Sequence, residues 1–534
     1  MNPTRHEQRL LLAASIVVLL AAAAAVLWHA QVTPLEGDEH AFVASGALLA
    51  REGSWPILHY PSAHLPNAAL LYALVFTHTD NLLAAARAAA GLCAAATLVL
   101  LFAVALRRFD MPRASLRLLL AAGAVVLMLS CPLFFQASGK ATGDDLAALL
   151  CVTAVTALLH AAAKLPWGRP VMWAALAGVA LGVAMGTRAI TAVVLVVALA
   201  SLPLLPKGPY PVRSRMALAL LGGAAAGLTP VWTLLIKRPA GVWFTAVELP
   251  LSNLAVKQVA PGSLPGWWSF KLEALRGVGE SPTLLALLVG VGVLSALGLW
   301  GVWRLRDRDP AGPFAVVLAI GSAAAVLLAA LLPYATTPAL LYPAVPMLVL
   351  AAAVSAGWLS RFAGDRGRTL ALTVYIGLCV AVFVPGVQLW RGALTGGDMA
   401  FVDPPDFSTT AARVRGMVGH GRVLTFTPIP ALEAGASVYP QFLSGMRGWR
   451  AADELPPRRR DALGLVGPDH LGDFLTRHRP DALLLTPSAS NLENLLWRLA
   501  RQQGYIERKV DGRFVLLTPR YTTATTAVVD VPLE

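Results

Sequence analysis

Long apolar runs separated by short polar segments fill the first 390 residues of the chain. A helix needs about 20 apolar residues to cross the hydrocarbon core of a bilayer. Eleven runs approach or exceed that length, and the fifth and sixth are separated only by Gly186, Thr187 and Arg188. The runs lie near residues 10–28, 82–106, 116–135, 145–163, 171–186, 189–206, 216–236, 283–303, 314–332, 339–358 and 369–389. The pattern predicts a polytopic α-helical membrane protein with about eleven transmembrane helices, and it leaves open that the fifth and sixth runs form one re-entrant hairpin.

The pattern after residue 390 is that of a soluble α/β domain. Val423 to Phe426 and Ala482 to Leu485 are short apolar runs typical of buried strands, and Asp511-Gly512 is typical of the turn between two antiparallel strands. No glycine-rich phosphate-binding motif is present, so nucleotide binding is not supported. We therefore predict a transmembrane domain over residues 1–390 and a C-terminal soluble α/β domain over residues 391–534.

The composition agrees with a lipid-embedded chain. Hydrophobic residues make up 57% of the sequence and charged residues 14%, whereas soluble proteins carry roughly 25% charged residues. The net charge of +13 could indicate a nucleic-acid partner, but that interpretation requires basic residues clustered on a soluble face. Here arginine and lysine stand in small groups between apolar runs. We therefore expect membrane lipid, and no nucleic acid, as a partner.

The basic groups predict the orientation in the membrane, because cytoplasmic loops carry an excess of lysine and arginine. If eleven spans alternate, every group falls on the same side. The groups are Arg5 with Arg9, Arg107 to Arg117, Lys164 with Arg169, Lys207 to Arg215, Arg304 to Arg308, and Arg361 to Arg368. We therefore expect a cytoplasmic N-terminus and a periplasmic or otherwise external C-terminal domain.

The expected location is the inner (plasma) membrane of a bacterium. The bacterial source is favoured by the high alanine content, which is typical of genomes with high GC content. A cleaved signal peptide over residues 1–30 is the alternative interpretation of the first run. The length of that run and the poor cleavage signal at Trp28-His29-Ala30 disfavour this alternative.

Two pairs of adjacent carboxylates flank the predicted helices. Asp38 and Glu39 follow the first run, and Asp144 and Asp145 begin the fourth. Solvated loop charges are the simpler interpretation of the first pair, and the helix dipole favours acidic residues at the start of the fourth helix. However, both pairs lie on the external side of a topology that was derived from the basic loops alone. This coincidence predicts a catalytic site that contains all four carboxylates.

Cations and histidines lie on the same predicted side. Lys140 and Arg188 are the external cations nearest to helix ends. Each can be a phosphate ligand, or it can be a structural residue whose charge extends to the membrane–water interface. His59 and His64 flank Tyr60-Pro61, where single histidines are more often structural than ligating. A divalent metal cation is an optional cofactor, and its candidate ligands are Asp38, Asp145 and His59.

In this order, the motifs resemble the GT-C superfamily of membrane glycosyltransferases, in the branch of the protein O-mannosyltransferases and the lipid A aminoarabinose transferase. The resemblance covers most of residues 10–360. It rests on Asp38-Glu39 after the first helix, Arg87 in the second, and the loop from Pro132 to Asp145. It also rests on Gly182 to Arg188, which resembles G-x-x-x-x-T-K, and on Leu341 to Pro346, which resembles Y-x-x-P-x-x-P.

The resemblance implies a role for each matched residue. Asp38 would be the catalytic or metal-organising carboxylate, with Asp144 or Asp145 as its partner, and Arg188 would bind the phosphate of a lipid carrier. The chain departs from the branch where His64 stands in place of the lysine of K-P-P-L, which leaves His64 as a candidate phosphate ligand. The residue before it is Ala63, where some relatives have a carboxylate that binds metal, so this departure disfavours metal dependence.

The predicted function is therefore a glycosyltransferase that moves a sugar from a polyprenyl-phosphate donor to a glycolipid, glycan or protein acceptor. A transporter or flippase of lipid-linked material is the main alternative. It is disfavoured because no internal repeat is evident and the acidic pairs lie at helix ends rather than at mid-span. A catalytically inactive family member that acts as an assembly partner is the third interpretation, and loss of turnover in an Asp38→Asn variant would argue against it.

Overall fold

The computed structural model divides the chain into two compact units, residues Met1–Pro405 and Asp406–Glu534. The first unit is helical and the second combines helices with a sheet. The structure describes residues 5–111, 113–163, 169–205, 210–251, 266–305, 311–333, 338–395, 407–486, 491–510 and 514–520.

Nineteen helices are described in the first unit, together with short 3-10 and π-helical turns. The first nine are α1 (Arg5–Val32), α2 (Gly37–Glu52), α3 (Asn67–Phe76), α4 (Leu82–Arg108), α5 (Ala114–Leu129), α6 (Pro132–Ala137), α7 (Asp144–Ala163), α8 (Pro170–Met185) and α9 (Ala192–Ser201). The others are α10 (Tyr210–Gly227), α11 (Thr229–Lys237), α12 (Pro239–Trp243), α13 (Leu249–Leu251), α14 (Gly266–Glu280), α15 (Pro282–Leu305), α16 (Gly312–Ala330), α17 (Pro338–Leu341), α18 (Ala344–Phe362) and α19 (Gly364–Thr395).

The chain is a multi-pass membrane protein, as the apolar runs predict. Seven described helices are long and apolar enough to cross a bilayer, and α10 with α11 forms an eighth candidate span bent by 62°. Three shorter apolar segments, α5, α8 and the one around α9, account for the other three predicted runs, whereas a fourth, α3, lies where no run was predicted. Each of the eleven predicted runs is helical over most of its length. The predicted multi-span architecture is thus confirmed, although several spans are shorter or more broken than the runs indicate.

Helix α18 lies at the centre of the bundle. Its most apolar 18-residue window is 89% buried inside the protein, against 22% for α1 and 28% for α15 and α19. Apolar residues on the three outer helices therefore remain exposed on the surface of the protein, where lipid is the compatible solvent.

Glycine allows α8 and α10 to pack with their backbones in contact. A Cβ atom added at Gly178 would lie 2.1 Å from the carbonyl oxygen of Leu220, and one added at Gly182 would lie 2.2 Å from that of Ala224. Gly223 makes the reciprocal approach from α10 to Ala175. The four-residue glycine spacing in α8 is thus a helix-packing feature, as small residues at membrane helix interfaces usually are.

The second unit contains a five-stranded sheet with helices around it. Its helices are α20 (Phe407–Val418), α21 (Ile429–Glu433), α22 (Gly445–Glu454), α23 (Pro457–Leu463), α24 (Leu471–His478) and α25 (Asn491–Gln502). Its strands are β1 (Arg422–Thr425), β2 (Ser437–Val438), β3 (Ala482–Leu485), β4 (Tyr505–Lys509) and β5 (Val515–Pro519), in the order β2-β1-β3-β5-β4.

Strand β1 pairs in parallel with β2 and β3, and β5 pairs antiparallel with β3 and β4. The predicted α/β character and the predicted strands at β1 and β3 are confirmed. The predicted Asp511-Gly512 turn lies outside the described residues. Aromatic side chains, including Phe442, Trp449 and Phe474, pack between the sheet and the helices.

We expect Glu493, in the first turn of α25, to make the stability of this unit dependent on pH. It is 6% exposed, and burial raises the pKa of its carboxyl to about 7, although it accepts a hydrogen bond from the backbone N–H of Thr486. Because the pKa is raised in the folded state, the contribution of this carboxyl to stability is fully present below the unfolded pKa. That contribution is lost as the pH rises through about 7. The loss is at most about 3 kcal/mol, from 1.36 kcal/mol per pKa unit and a shift from 4.5 to about 7.

We expect the Glu493→Gln variant to be more stable than the wild type at pH 8 and similar to it at pH 4.5. Glutamine keeps an acceptor for the Thr486 N–H but does not ionise. Hydrogen exchange of the β3 amides, compared between the two proteins at each pH, measures this difference. The exposed Glu454 gives the control variant Glu454→Gln, which should leave the exchange unchanged. A pH-independent difference between wild type and Glu493→Gln would contradict the assignment.

Candidate active site

The predicted acidic pairs meet at one end of the helix bundle. Helix α2 supplies the first pair in its first turn, and α7 supplies the second in its own first turn. The segment between α6 and α7 lies beside α2, since the backbone N–H of Ala141 donates to Glu39 at 2.8 Å. The segment after α8 brings Arg188 to the same place. Four separate parts of the first unit therefore build this cluster.

An ion pair joins Arg188 to Asp144. Arg188 Nη2 lies 2.6 Å from Asp144 Oδ2, and their side chains are 14% and 5% exposed. The Thr142 hydroxyl donates to the same oxygen at 3.0 Å. The pair is close to the surface but largely protected from water, so its charges are less screened than those of an exposed pair.

Asp38 is partly exposed, and its charge acts on the Arg188 guanidinium of this ion pair. Burial acts to lower the pKa of Arg188, but Asp144, Asp38 and Glu36 together raise it. Asp38 is therefore near enough to the guanidinium for its charge to act on it. Because Asp38 is partly exposed, an incoming hydroxyl can reach its carboxylate and transfer a proton to it.

Lys140 forms a second ion pair in the cluster. Its Nζ lies 2.8 Å from Glu36 Oε2, with the two side chains 18% and 38% exposed. Both predicted cations, Lys140 and Arg188, are thus at the site, and each is held by a carboxylate. The partner Glu36 was not among the predicted site residues, although it stands in the same acidic segment of the sequence.

The ring of Phe42 organises two of the candidate phosphate ligands. The imidazole of His64 stacks on it with ring centroids 4.0 Å apart and planes 18° from parallel. The Arg188 guanidinium carbon lies 5.3 Å from the centre of the same ring, which is a cation–π distance. Phe42 itself is 2% exposed. The Phe42 ring therefore lies next to two groups that can carry positive charge. Nothing in the sequence indicated this role, because Phe42 looks there like any other apolar core residue.

Glu39 differs from its neighbour Asp38, because its carboxylate is fully buried and fully engaged. Arg87 donates to both oxygens, from Nε at 2.9 Å and from Nη2 at 2.8 Å. The backbone N–H groups of Ala141 and Glu36 donate to the same two oxygens at 2.8 and 2.9 Å. With four donors in place, Glu39 joins α2, α4 and the α6–α7 segment into one structure.

Asp145 has a comparable position at the other end of that segment. It is 0% exposed, the backbone N–H of Gly139 donates to its Oδ2 at 2.7 Å, and the hydroxyl of Tyr342 donates to its Oδ1. The hydroxyl of Tyr72 donates to the Thr142 carbonyl at 2.6 Å and holds the middle of the segment. Glu39 and Asp145 thus shape the loop that carries Thr142 and Lys140.

The candidate metal ligands do not assemble in the part of the chain that the structure describes. His59 is exposed, and its Nδ1 accepts a hydrogen bond from the backbone N–H of Trp55 at 3.0 Å. Each oxygen of Asp145 already has a donor. No group of three or more His, Cys, Asp or Glu side chains among the described residues is arranged to hold a metal ion. These residues therefore do not fit the optional cation, and no step is assigned to it.

The fold and the cluster together define a multi-pass helical membrane protein with a charged site at one end of its bundle. No protein-family model matches the chain, and no curated protein matches it in sequence. Its structure, however, is similar to that of ArnT from Cupriavidus metallidurans bound to undecaprenyl phosphate. The TM-score is 0.60 at 16% identity, over 96% of this chain and 98% of ArnT.

The structure is also similar to the archaeal oligosaccharyltransferase AglB from Archaeoglobus fulgidus in complex with an inhibitory peptide and a dolichol-phosphate. The TM-score is 0.52 at 11% identity, over 97% of this chain and 75% of AglB. A structure of the Archaeoglobus fulgidus oligosaccharyltransferase with Zn and sulfate matches at a TM-score of 0.50 and 11% identity, over 97% of this chain and 74% of that one. The chain has the same GT-C-like fold as these proteins.

Proposed function

We propose that this protein is a glycosyltransferase that moves a sugar from a polyprenyl-phosphate donor to a hydroxyl-bearing acceptor. The observation that carries the proposal is the cluster of Asp38, Asp144 and Arg188 at one end of a GT-C bundle. A lipid-phosphate donor needs a cation for its phosphate and a base for the acceptor at the edge of the membrane. The cluster supplies both in one place.

In the proposed reaction, an acceptor hydroxyl attacks the anomeric carbon and the bond from that carbon to the phosphate oxygen breaks. Asp38 takes the proton from the attacking hydroxyl. Negative charge develops on the departing lipid phosphate, where Arg188 stabilises it, with Lys140 and His64 as further candidate ligands. Glu39 and Asp145 act as positioning residues, because their oxygens are occupied by donors that shape the loop between α6 and α7.

The reaction is proposed to occur at the external face of the membrane. Helix α4 carries Arg87 near its start, beside the cluster, and ends in Arg107 and Arg108 at the opposite end of the bundle. Arg361, at the end of α18, donates to the Arg107 carbonyl at 2.8 Å. Basic groups therefore gather at the end that lies away from the cluster. By the positive-inside rule, this distribution favours a cytoplasmic basic end and an external cluster, which supports the proposal.

Arg188→Ala is expected to raise the donor KM and to lower transfer by about a hundredfold, because a donor to a developing phosphate charge is worth about 3 kcal/mol. The measurement is transfer of labelled sugar from polyprenyl-phosphate donors in membranes with matched protein levels. Arg276→Ala is the control, since that side chain is 81% exposed. Transfer that is equally fast in both variants would contradict the proposed role of Arg188.

A further inference from the structure

Arg188 is already bound to an anion at the place where the proposed function requires a phosphate. Its Nη2 lies 2.6 Å from Asp144 Oδ2, in a pair whose side chains are 14% and 5% exposed. A guanidinium binds carboxylate and phosphate with the same donors and in similar geometry. A donor phosphate that reaches Arg188 must therefore compete with the Asp144 carboxylate.

The guanidinium retains capacity for a second anion. Its Nε is buried and has no hydrogen-bond partner among the described residues, although the rest of the group is held by Asp144 and by the ring of Phe42. A buried donor without an acceptor is costly. An incoming phosphate oxygen that accepts a hydrogen bond from Nε would remove this cost. The Asp144 carboxylate accepts from Nη2 and leaves Nε without an acceptor.

The charges around Arg188 also oppose a phosphate for as long as Asp144 keeps its position. Asp144, Asp38 and Glu36 all act on the guanidinium, and Lys140 is occupied by Glu36. A phosphate placed beside Asp144 would be a second like charge in a partly desolvated site, and such contacts are strongly unfavourable. Asp144 has an alternative partner in the Thr142 hydroxyl, which already donates to it at 3.0 Å.

We propose that Asp144 is a positioning residue that holds Arg188 in place in the ligand-free site and releases it to the donor phosphate. This inference rests on the proposed function and adds to it a specific role for one of its carboxylates. Asp144 aligns the guanidinium, prevents it from collapsing onto Asp38, and weakens phosphate binding by competing for the same donors. Its removal should therefore tighten binding of the lipid phosphate, which is the opposite of what loss of a ligand or of a structural contact would do.

The test uses the full-length protein in lipid nanodiscs and measures binding of undecaprenyl phosphate without sugar. Asp144→Asn is expected to bind it at least fivefold more tightly than the wild type does. Asp144→Ser, which also suits the first turn of a helix, should show the same direction. Asp80→Asn is the control, because that side chain is 89% exposed. Thermal unfolding of each variant establishes that it is folded.

A combined variant shows whether the effect passes through Arg188. In the Arg188→Ala background, Asp144→Asn should give little or none of the gain in affinity. Equal or weaker binding by folded Asp144→Asn and Asp144→Ser would overturn the exchange, because the pair would then be a structural contact only. If the wild type bound undecaprenyl phosphate no better than the uncharged polyprenol, the proposed function itself would fail. The two failures are thus distinguishable.

Discussion

Sugar transfer by an Asp38→Asn variant is expected to be at least about a hundredfold slower than transfer by the wild type, since a positioned general base contributes roughly 10²- to 10⁴-fold. Asparagine keeps the size of the side chain and the start of α2 but cannot take a proton. Asp38 is the partly exposed member of its pair, whereas Glu39 has all its oxygens occupied. The loss should therefore appear in kcat, with little change in the donor KM.

The control for this prediction is Glu52→Gln, which neutralises an exposed carboxylate at the other end of the same helix. It should leave transfer unchanged. Measurement of initial rates over a range of donor concentrations separates kcat from KM. An Asp38→Asn variant that keeps more than half of the wild-type kcat would remove Asp38 from the chemistry and would direct attention to Asp144.

Replacing Arg87 with Met is expected to destabilise the first unit by about 3–5 kcal/mol, because removing one member of a buried ion pair leaves the other charge uncompensated. Arg87 is 1% exposed and Glu39 is 0% exposed. Arg87 also donates from Nη1 to the Thr33 carbonyl at 2.8 Å, so the variant loses the connection between α4 and the end of α1 as well. We expect a large fall in the unfolding temperature of the detergent-solubilised protein.

An exposed ion pair supplies the matched control. Arg51 lies 2.8 Å from Asp80, with side chains 30% and 89% exposed, and Arg51→Met should cost less than about 1 kcal/mol. Replacing both Arg87 and Glu39 with Met should recover part of the stability, but not all of it, because the Ala141 N–H would lose its acceptor. Equal losses of stability in the Arg87→Met and Arg51→Met variants would show that the buried ion pair stabilises the protein no more than an exposed one does.

The sequence predicted most of the membrane architecture because a bilayer imposes a length and a polarity on each span. The location of both acidic pairs at one end of the bundle also followed from the sequence, because alternation of the spans puts Asp38 and Asp144 on the same side. Strand β3 was predicted with its observed bounds, since its four residues are apolar and fully buried. Such features depend on local composition and on periodicity.

The separate roles of adjacent carboxylates did not follow from the sequence. Asp38 and Glu39 look equivalent there, yet Glu39 accepts hydrogen bonds from Arg87 and Ala141, which lie 48 and 102 residues further along the chain. Asp145 likewise contacts Tyr342, 197 residues away. These contacts depend on how the helices pack, and a single sequence does not encode that packing in any short pattern. The stacking of His64 and Arg188 on Phe42 was missed for the same reason.

The fate of the donor in a reconstituted system tests the account most directly. Purified protein in liposomes would be given a polyprenyl-phosphate donor with labelled sugar, together with an extract of acceptors, and both halves of the donor would be followed. The account predicts that label leaves the lipid donor for an acceptor while an equal amount of polyprenyl phosphate is released. A donor that stays intact, or that crosses the bilayer without being cleaved, would contradict transfer and would favour a flippase.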